Sequence, residues 1–235
     1  MTLMPTRFVF AALVLVPVVL AGLGCNRTPP APSSAPLPTS ASLVQSARTT
    51  GTVSKAGVGQ PAPDFLLKDL DGKSFHLAEL RGKTVVLEWF NPECPFVKGS
   101  HTKGSLKSTA KKHTDNGVVW LAINSAAEGK QGFGPEKSAA GKKAFGLEHP
   151  ILLDPTGVVG HQYGATNTPH LFVIDEAGAL IYKGAIDNSP DGEGESPTGG
   201  KLINYVDAAL EDLAAGRPVR TSDTQAYGCG VKFAK

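Results

Sequence analysis

Cys94 sits in Trp89-Phe90-Asn91-Pro92-Glu93-Cys94-Pro95-Phe96-Val97, directly after an apolar, strand-like run and at the start of a helix-like segment. A sulfur at such a junction lies near unpaired helix N–H groups, which favour thiolate over thiol. Cys94 is therefore the candidate nucleophile; the plainer alternative is a small, inert core residue. A dithiol oxidoreductase would carry its second cysteine three residues later, where this chain has Val97. Two further cysteines exist, Cys25 near the start and Cys229 between Gly228 and Gly230. Glycine on both sides of Cys229 leaves that backbone free to swing. Three roles stay open for Cys229: a redox couple with Cys94, a permanent disulfide pinning the tail, or a thiol facing solvent. Glu88 is a second chemical candidate, a lone charge in the apolar run 85–90 and six residues before Cys94.

Other reactive-looking residues carry less. The six histidines show no metal-ligand spacing, so no metal is expected. His101, seven residues after Cys94, falls about 10 Å along a helix, on the same side but not adjacent. His170 reads as a packing or surface residue beside Pro169. Gly129-Lys130-Gln131-Gly132 lacks the spacing and the Lys-Ser/Thr of a phosphate loop.

The chain begins with one charge, Arg7, before an apolar run from Phe8 to Leu23 broken by Pro17, then Ala21-Gly22-Leu23-Gly24-Cys25. A charged start, an apolar stretch and small residues describe a signal peptide over residues 1–24. A cysteine at the end of it points to a bacterial lipoprotein signal, with Cys25 lipidated as the mature N-terminus. Gly22 departs from that pattern, which prefers Leu three residues before the cysteine; ordinary cleavage or a retained anchor are the alternatives. As a helix, Phe8 to Gly24 would span roughly 25 Å, slightly short for a bilayer core. Residues 25–56 are rich in Pro, Ala, Ser and Thr, too poor in apolar surface to fold, and read as a tether. Lys and Arg number 23 and Asp and Glu 21, and losing Arg7 with the signal brings the two almost level. That balance argues against nucleic acid, or a membrane surface held by charge, as partner.

The elements that must position Cys94 follow next. Asp64–Leu70 and Lys73–Leu77 flank Asp71-Gly72, a tight hairpin signal. Thr84–Phe90, Val118–Ile123 and Ile151–Leu153 read as buried strands. Pro95 to about His113 is helix-compatible, weakened by Gly99 and Gly104. Pro135–Phe145 reads as a helix, and Leu171–Asp175 and Ala179–Lys183 as a second hairpin across Glu176-Ala177-Gly178. Lys201–Ala215 carries an amphipathic period. Asp187–Gly200 reads as a mobile surface loop, and 216–235 as a tail without period. The order implies an α/β sandwich spanning 57–215, with central parallel strands, an antiparallel C-terminal hairpin and an N-terminal β-hairpin.

That order, Cys94 after the first buried strand, and Thr168-Pro169 before a later strand resemble the thioredoxin fold. The run from Gly59-Gln60-Pro61-Ala62-Pro63-Asp64-Phe65 through Cys94-Pro95-Phe96-Val97 is similar to the redoxins, the alkyl hydroperoxide reductase and thiol-specific antioxidant relatives. Asn-Pro-Glu-Cys-Pro, Thr-Pro-His and Tyr-Gly-Cys-Gly-Val-Lys resemble exported, peroxiredoxin-like members. Two departures matter. No hydroxyl stands three positions before Cys94, as a peroxiredoxin would have, and Val97 removes thioredoxin's second cysteine.

The resemblance implies roles. Cys94 would attack a protein or small-molecule disulfide or a peroxide, with Cys229 or an external thiol reductant completing the cycle. Glu88 matches a buried acid that accepts a proton during exchange, its pKa raised by burial; the alternative is a strand residue at an exposed edge. Thr168-Pro169 matches a cis-proline loop whose backbone pairs with an extended substrate, and Pro95 and Phe96 would border the same opening. No cofactor is implied, because sulfur carries the electrons. The reading is an exported thiol–disulfide oxidoreductase on a single helix-N-terminal cysteine, lipid-anchored to a bacterial membrane and facing the periplasm or exterior. A thiol peroxidase and a non-enzymatic binding module with a static disulfide are the alternatives.

Overall fold

The computed structural model describes residues 55–235. The signal segment, Cys25 and the tether up to residue 54 lie outside the described residues. Ala56 is buried, and its N–H donates to the Gln162 carbonyl at 3.0 Å.

The hairpin at Asp71-Gly72 forms from β1 (Leu66–Asp69) and β2 (Ser74–His76). Asp69 closes it by accepting from the N–H groups of Asp71 at 3.0 Å and Lys73 at 2.9 Å, while Gly72 takes the positive φ of 79°. Next come β3 (Val85–Trp89), β4 (Val119–Asn124) and β5 (Ile151–Leu153), mutually parallel. Short β6 (Asn167–Thr168) leads into β7 (His170–Ile174), which turns back through β8 (Leu180–Gly184). The main sheet runs β2-β1-β5-β4-β3-β7-β8, with β1 antiparallel to β5 and β7 antiparallel to β3. Both the α/β class and the mixed sheet with two antiparallel hairpins match the sequence reading.

Every residue of β3 is buried, which is why its sequence is apolar on both faces, Glu88 excepted, rather than alternating. Leu87 and Trp89 face a core with Leu121, Ile123, Phe172 and Tyr163. Val86 faces the opposite core, with Trp120, Val173, Leu106 and Val206. Trp89 meets Phe172 edge-on at 5.0 Å between ring centroids, and Tyr163 meets Phe172 at 5.4 Å. Such pairs add about 0.5–1.5 kcal/mol each beyond their buried area.

Among the described residues, five α-helices cover the sheet: α1 (Pro95–Thr102), α2 (Leu106–Thr114), α3 (Pro135–Phe145), α4 (Val158–Tyr163) and α5 (Tyr205–Ala214). The single helix expected over 95–113 is two, broken between Thr102 and Leu106; Gly104 lies in the break, whereas Gly99 is carried inside α1. A Cβ on Gly99 would lie 3.3 Å from the Gly192 carbonyl oxygen, and one on Gly104 would lie 3.1 Å from Ser100 Cα and 3.3 Å from Glu193 C. Both glycines make room for the 187–200 segment. That segment is not the free surface excursion its composition suggests. Asp191 ties it together, accepting from the N–H groups of Glu193 at 2.7 Å and Gly194 at 2.9 Å. The Ser100 hydroxyl, donating to the Gly192 carbonyl at 3.1 Å, fastens it to α1. α5 starts at Tyr205 rather than Lys201, where Asn204 caps it by accepting from the Asp207 N–H at 2.9 Å. Leu202 therefore stays exposed ahead of the helix.

Candidate functional site

Sheet register builds the site. Antiparallel pairing of β3 with β7 sets Trp89 opposite His170. The residues leaving β3, Asn91 to Cys94, thus lie beside those entering β7, Thr168 and Pro169. The Thr168–Pro169 peptide is cis. Cys94 is the N-cap residue of α1, with Pro95 in the first helical position. Cys94 is 1% exposed, and its sulfur lies 3.1 Å from the Thr168 carbonyl oxygen, which accepts from the thiol. Val97, fully buried, packs with Phe90, Ala122 and Ile151 around Cys94.

The second sulfur comes from the tail. β9 (Cys229–Gly230) pairs antiparallel with β6, Thr168 opposite Cys229 and Asn167 opposite Gly230. The Cys94 and Cys229 sulfurs are 2.6 Å apart, hydrogen-bonded, and both cysteines are free. Side chains reinforce the short ladder: Asn167 Nδ2 donates to the Gly228 carbonyl at 3.0 Å. Just beyond it, the Val231 N–H donates to the Thr166 carbonyl at 3.0 Å. Gly228 has φ of 108°, and a Cβ there would strike the Thr168 carbonyl oxygen. Burial, then the hydrogen bond and charge of Cys94, push the Cys229 thiol up to about 11.

The strand position expected for substrate is thus held by the chain's own tail. Thr168 and Pro169 are buried there, Phe96 is half-buried against Tyr227 with ring centroids 6.4 Å apart, and Pro95 is exposed. The opening expected beside Cys94 is covered.

Glu88 lies in the middle of the sheet and is fully buried, which removes the exposed-edge reading. Its carboxylate accepts from Trp120 Nε1 at 3.0 Å and pairs with His101 Nε2 at 2.7 Å. Burial alone would raise its pKa, but His101, with His149 and Trp120, outweighs burial and holds it below the usual carboxylate range. The expected upward shift is corrected: a partner thirteen residues away decides its sign. Both Glu88 oxygens are taken by these partners, and neither contacts a sulfur. His149 carries a buried Nε2 without a partner, and burial pushes its pKa down to about 4. His170 packs on Phe172 with centroids 4.4 Å apart and accepts from the Thr166 N–H at 3.3 Å, the packing role read for it.

Sequence reasoning missed the brace beneath Cys94. Asn91 accepts from the Glu93 N–H at 2.9 Å and donates to the Gln131 carbonyl at 3.0 Å. The Glu93 carboxylate accepts from the Gly132 N–H at 2.7 Å and pairs with Lys137 at 2.9 Å. Pro92 sits against Gly141 of α3, where a Cβ would come within 2.5 Å of the Pro92 ring. The Gly-Lys-Gln-Gly segment, set aside as a failed phosphate loop, is this brace. Its signal was in Asn91 and Glu93 themselves, polar side chains at the turn just before the candidate nucleophile.

Among the described residues, no cluster of His, Cys, Asp and Glu is placed to hold a metal, and no helix is long and apolar enough to cross a membrane.

Comparison with known proteins fits this arrangement. The chain is 35% identical over 124 residues to the thiol-disulfide oxidoreductase ResA of Geobacillus thermodenitrificans, a match taking in 52% of this chain and 66% of that protein. ResA of Bacillus subtilis is 28% identical over 125 residues, covering 52% of this chain and 64% of its own length. The chain thus spans just under two thirds of these relatives. Among solved structures, a hypothetical protein of Sinorhizobium meliloti 1021 superposes with a TM-score of 0.65 at 29% identity, over 77% of this chain and 97% of that one. An uncharacterized conserved protein from Geobacillus kaustophilus gives the same score and identity over 76% of this chain and 93% of its own. The redoxin family model matches residues 57–202, taking in Cys94, the cis proline and the whole main sheet, and the chain belongs to the redoxin family.

Proposed function

We propose that this chain is a thiol–disulfide oxidoreductase in which Cys94 and Cys229 form one redox couple. The observation that carries the reading is the 2.6 Å separation of the two sulfurs, with Val97 filling the place of a nearer partner. The activity named for the ResA relatives supports the same reaction class. In the reducing direction the Cys94 thiolate attacks one sulfur of a disulfide; a Cys94–sulfur bond forms and the other substrate sulfur leaves as a thiolate that takes a proton. Cys229, once deprotonated, attacks the Cys94 sulfur of this mixed disulfide and expels the second substrate thiolate. The dithiol has then lost two electrons to the substrate, and an external dithiol restores it by the reverse exchange. No metal or organic cofactor enters any step. The peroxidase reading is weaker, because Asn91 stands where a hydroxyl would be needed and its polar atoms are committed to Glu93 and Gln131.

The N-terminal reading completes the proposal: export, and attachment to a bacterial membrane through lipid on Cys25. Palmitate incorporation that disappears in Cys25→Ser is the expected result, and an unlabelled wild type overturns the lipid anchor.

Graded thiol–disulfide buffers with mass spectrometry test the couple. The expected bond joins Cys94 to Cys229 and titrates above roughly −300 mV, where exchangeable pairs lie. A bond that resists strong reductant makes the pair a static staple in a binding module instead. Cys229→Ser is expected to accumulate a mixed disulfide on Cys94 that the wild type resolves.

Two further outcomes follow from the tail. Gly228→Ala places a side chain at a positive φ against the Thr168 carbonyl, costing about 1–3 kcal/mol. The closing equilibrium of the pair should fall roughly 5- to 150-fold, read from the disulfide fraction at fixed buffer. In reduced protein, alkylation of Cys229 should climb with pH toward an inflection near 11, because its protonated form persists through neutrality. Cys94→Ala removes both the hydrogen bond and the charge that add to burial, so the inflection should move down. A plateau by about pH 9.5, as for an ordinary thiol, would contradict the assigned environment.

A further inference from the structure

The residues flanking Cys229 are held at two built seats. Before it, the Tyr227 hydroxyl donates to Asp187 Oδ1 at 2.7 Å. Asp187 is 1% exposed and also accepts from the Ser189 N–H at 2.9 Å and from the Ser105 hydroxyl, so its position is fixed by three donors from three segments. After it, the Lys232 carbonyl accepts from the Ala127 N–H at 2.9 Å. The Phe233 ring then stacks on His161 with centroids 4.0 Å apart. The ring occupies a notch on α4 that exists because two residues there lack side chains. A Cβ on Gly160 would come within 2.5 Å of the ring, and one on Gly157 within 2.7 Å. The β6–β9 ladder between these seats is only two residue pairs long. So short a ladder is too little to hold a glycine-flanked strand in register by itself.

We propose that Tyr227 and Phe233 are positioning residues that clamp the tail on both sides of Cys229 and so set its effective concentration at Cys94. The proposal rests on the redox-couple reading and adds what sets its equilibrium. A thiol on a flexible tether is present at millimolar effective concentration, whereas one held in reacting geometry reaches values many orders higher. The clamp has a second consequence of opposite sign. Cys94 is covered by the tail, so an outside disulfide reaches it only when a seat is vacated. Loosening the clamp should therefore weaken the internal bond and speed external attack.

The test equilibrates the full folded protein with oxidised and reduced dithiothreitol: protein dithiol plus oxidised dithiothreitol gives protein disulfide plus reduced dithiothreitol, two electrons each way. Acid quenching, alkylation and mass spectrometry read the constant. Tyr227→Phe removes only the hydroxyl, Phe233→Ala empties the notch, and Gly160→Ala expels the ring while leaving the tail sequence intact. Each variant is expected to lower the constant by about tenfold or more. In a Cys229→Ser background, Phe233→Ala should also raise the rate at which Cys94 reacts with an aromatic disulfide severalfold. Urea midpoints of the reduced forms identify any variant that loses the fold, and Tyr227→Phe, the mildest change, then decides. If the wild type forms the Cys94–Cys229 bond but the folded variants keep its constant within about twofold, the clamp is overturned and the couple stands. If the wild type never forms that bond, the couple itself falls and the clamp with it.

Discussion

The candidate site depends on one short stretch of main-chain pairing, Asn167–Thr168 against Cys229–Gly230. Everything upstream serves to present the Thr168 edge at the right place. The buried β3–β7 pair fixes Trp89 opposite His170, which brings the exit of one strand and the entry of the other together. A sulfur on the exit and a carbonyl on the entry then lie 3.1 Å apart, and the thiol donates to the carbonyl. What the main sheet cannot supply is the second sulfur, and only the tail pairing brings that.

Three irregular segments converge on this point, and glycine is the reason each can. The 129–132 segment braces Glu93, the 187–200 segment lies over Gly99 and Gly104 of the first helices, and the tail crosses between them. Before reaching the site, the tail also runs along β8, where the Thr224 N–H donates to the Lys183 carbonyl at 3.1 Å and the Lys183 N–H to the Ser222 carbonyl at 3.0 Å. Its partner strand is an outer strand of the sheet, whose unpaired groups would otherwise offer a template for association. One segment thus shields an edge and furnishes a thiol.

The parts of the fold that were legible are those decided locally. Asp71-Gly72 and Glu176-Ala177-Gly178 announce turns by their own backbone preferences, and β3 announces its burial by a run that is apolar on both faces except at Glu88. Cys94 and the Thr168-Pro169 pair could be singled out from their position relative to strands. What stayed hidden was decided at a distance. The six-residue α4 is too short to show a period, and β6 and β9, at two residues each, show none at all. Asp187–Gly200 has the composition of a solvated loop, yet Asp191 satisfies its backbone and α1 receives it. The balance at Glu88 could not be read either, because His101 and Trp120 arrive from other elements to oppose burial. The tail carries no side-chain pattern because its main chain, rather than an apolar face, makes the decisive contacts.

Cys94 and Cys229 are separated by 135 residues of chain, most of the folded domain. A covalent bond between them would close a loop that the unfolded chain could otherwise explore freely. In the chain-entropy account, a loop of that size is worth about 5 kcal/mol against unfolding. That is a large share of the 5–15 kcal/mol by which typical domains are stable. By linkage, the same free energy would appear in the proposed couple: the fold would favour oxidation of the pair, and oxidation would favour the fold. A redox site closed within one helical turn has no such coupling, since its loop excludes the rest of the protein. In the proposed couple, the electron balance of the two sulfurs and the resistance of the whole domain to denaturation would be two readings of one quantity.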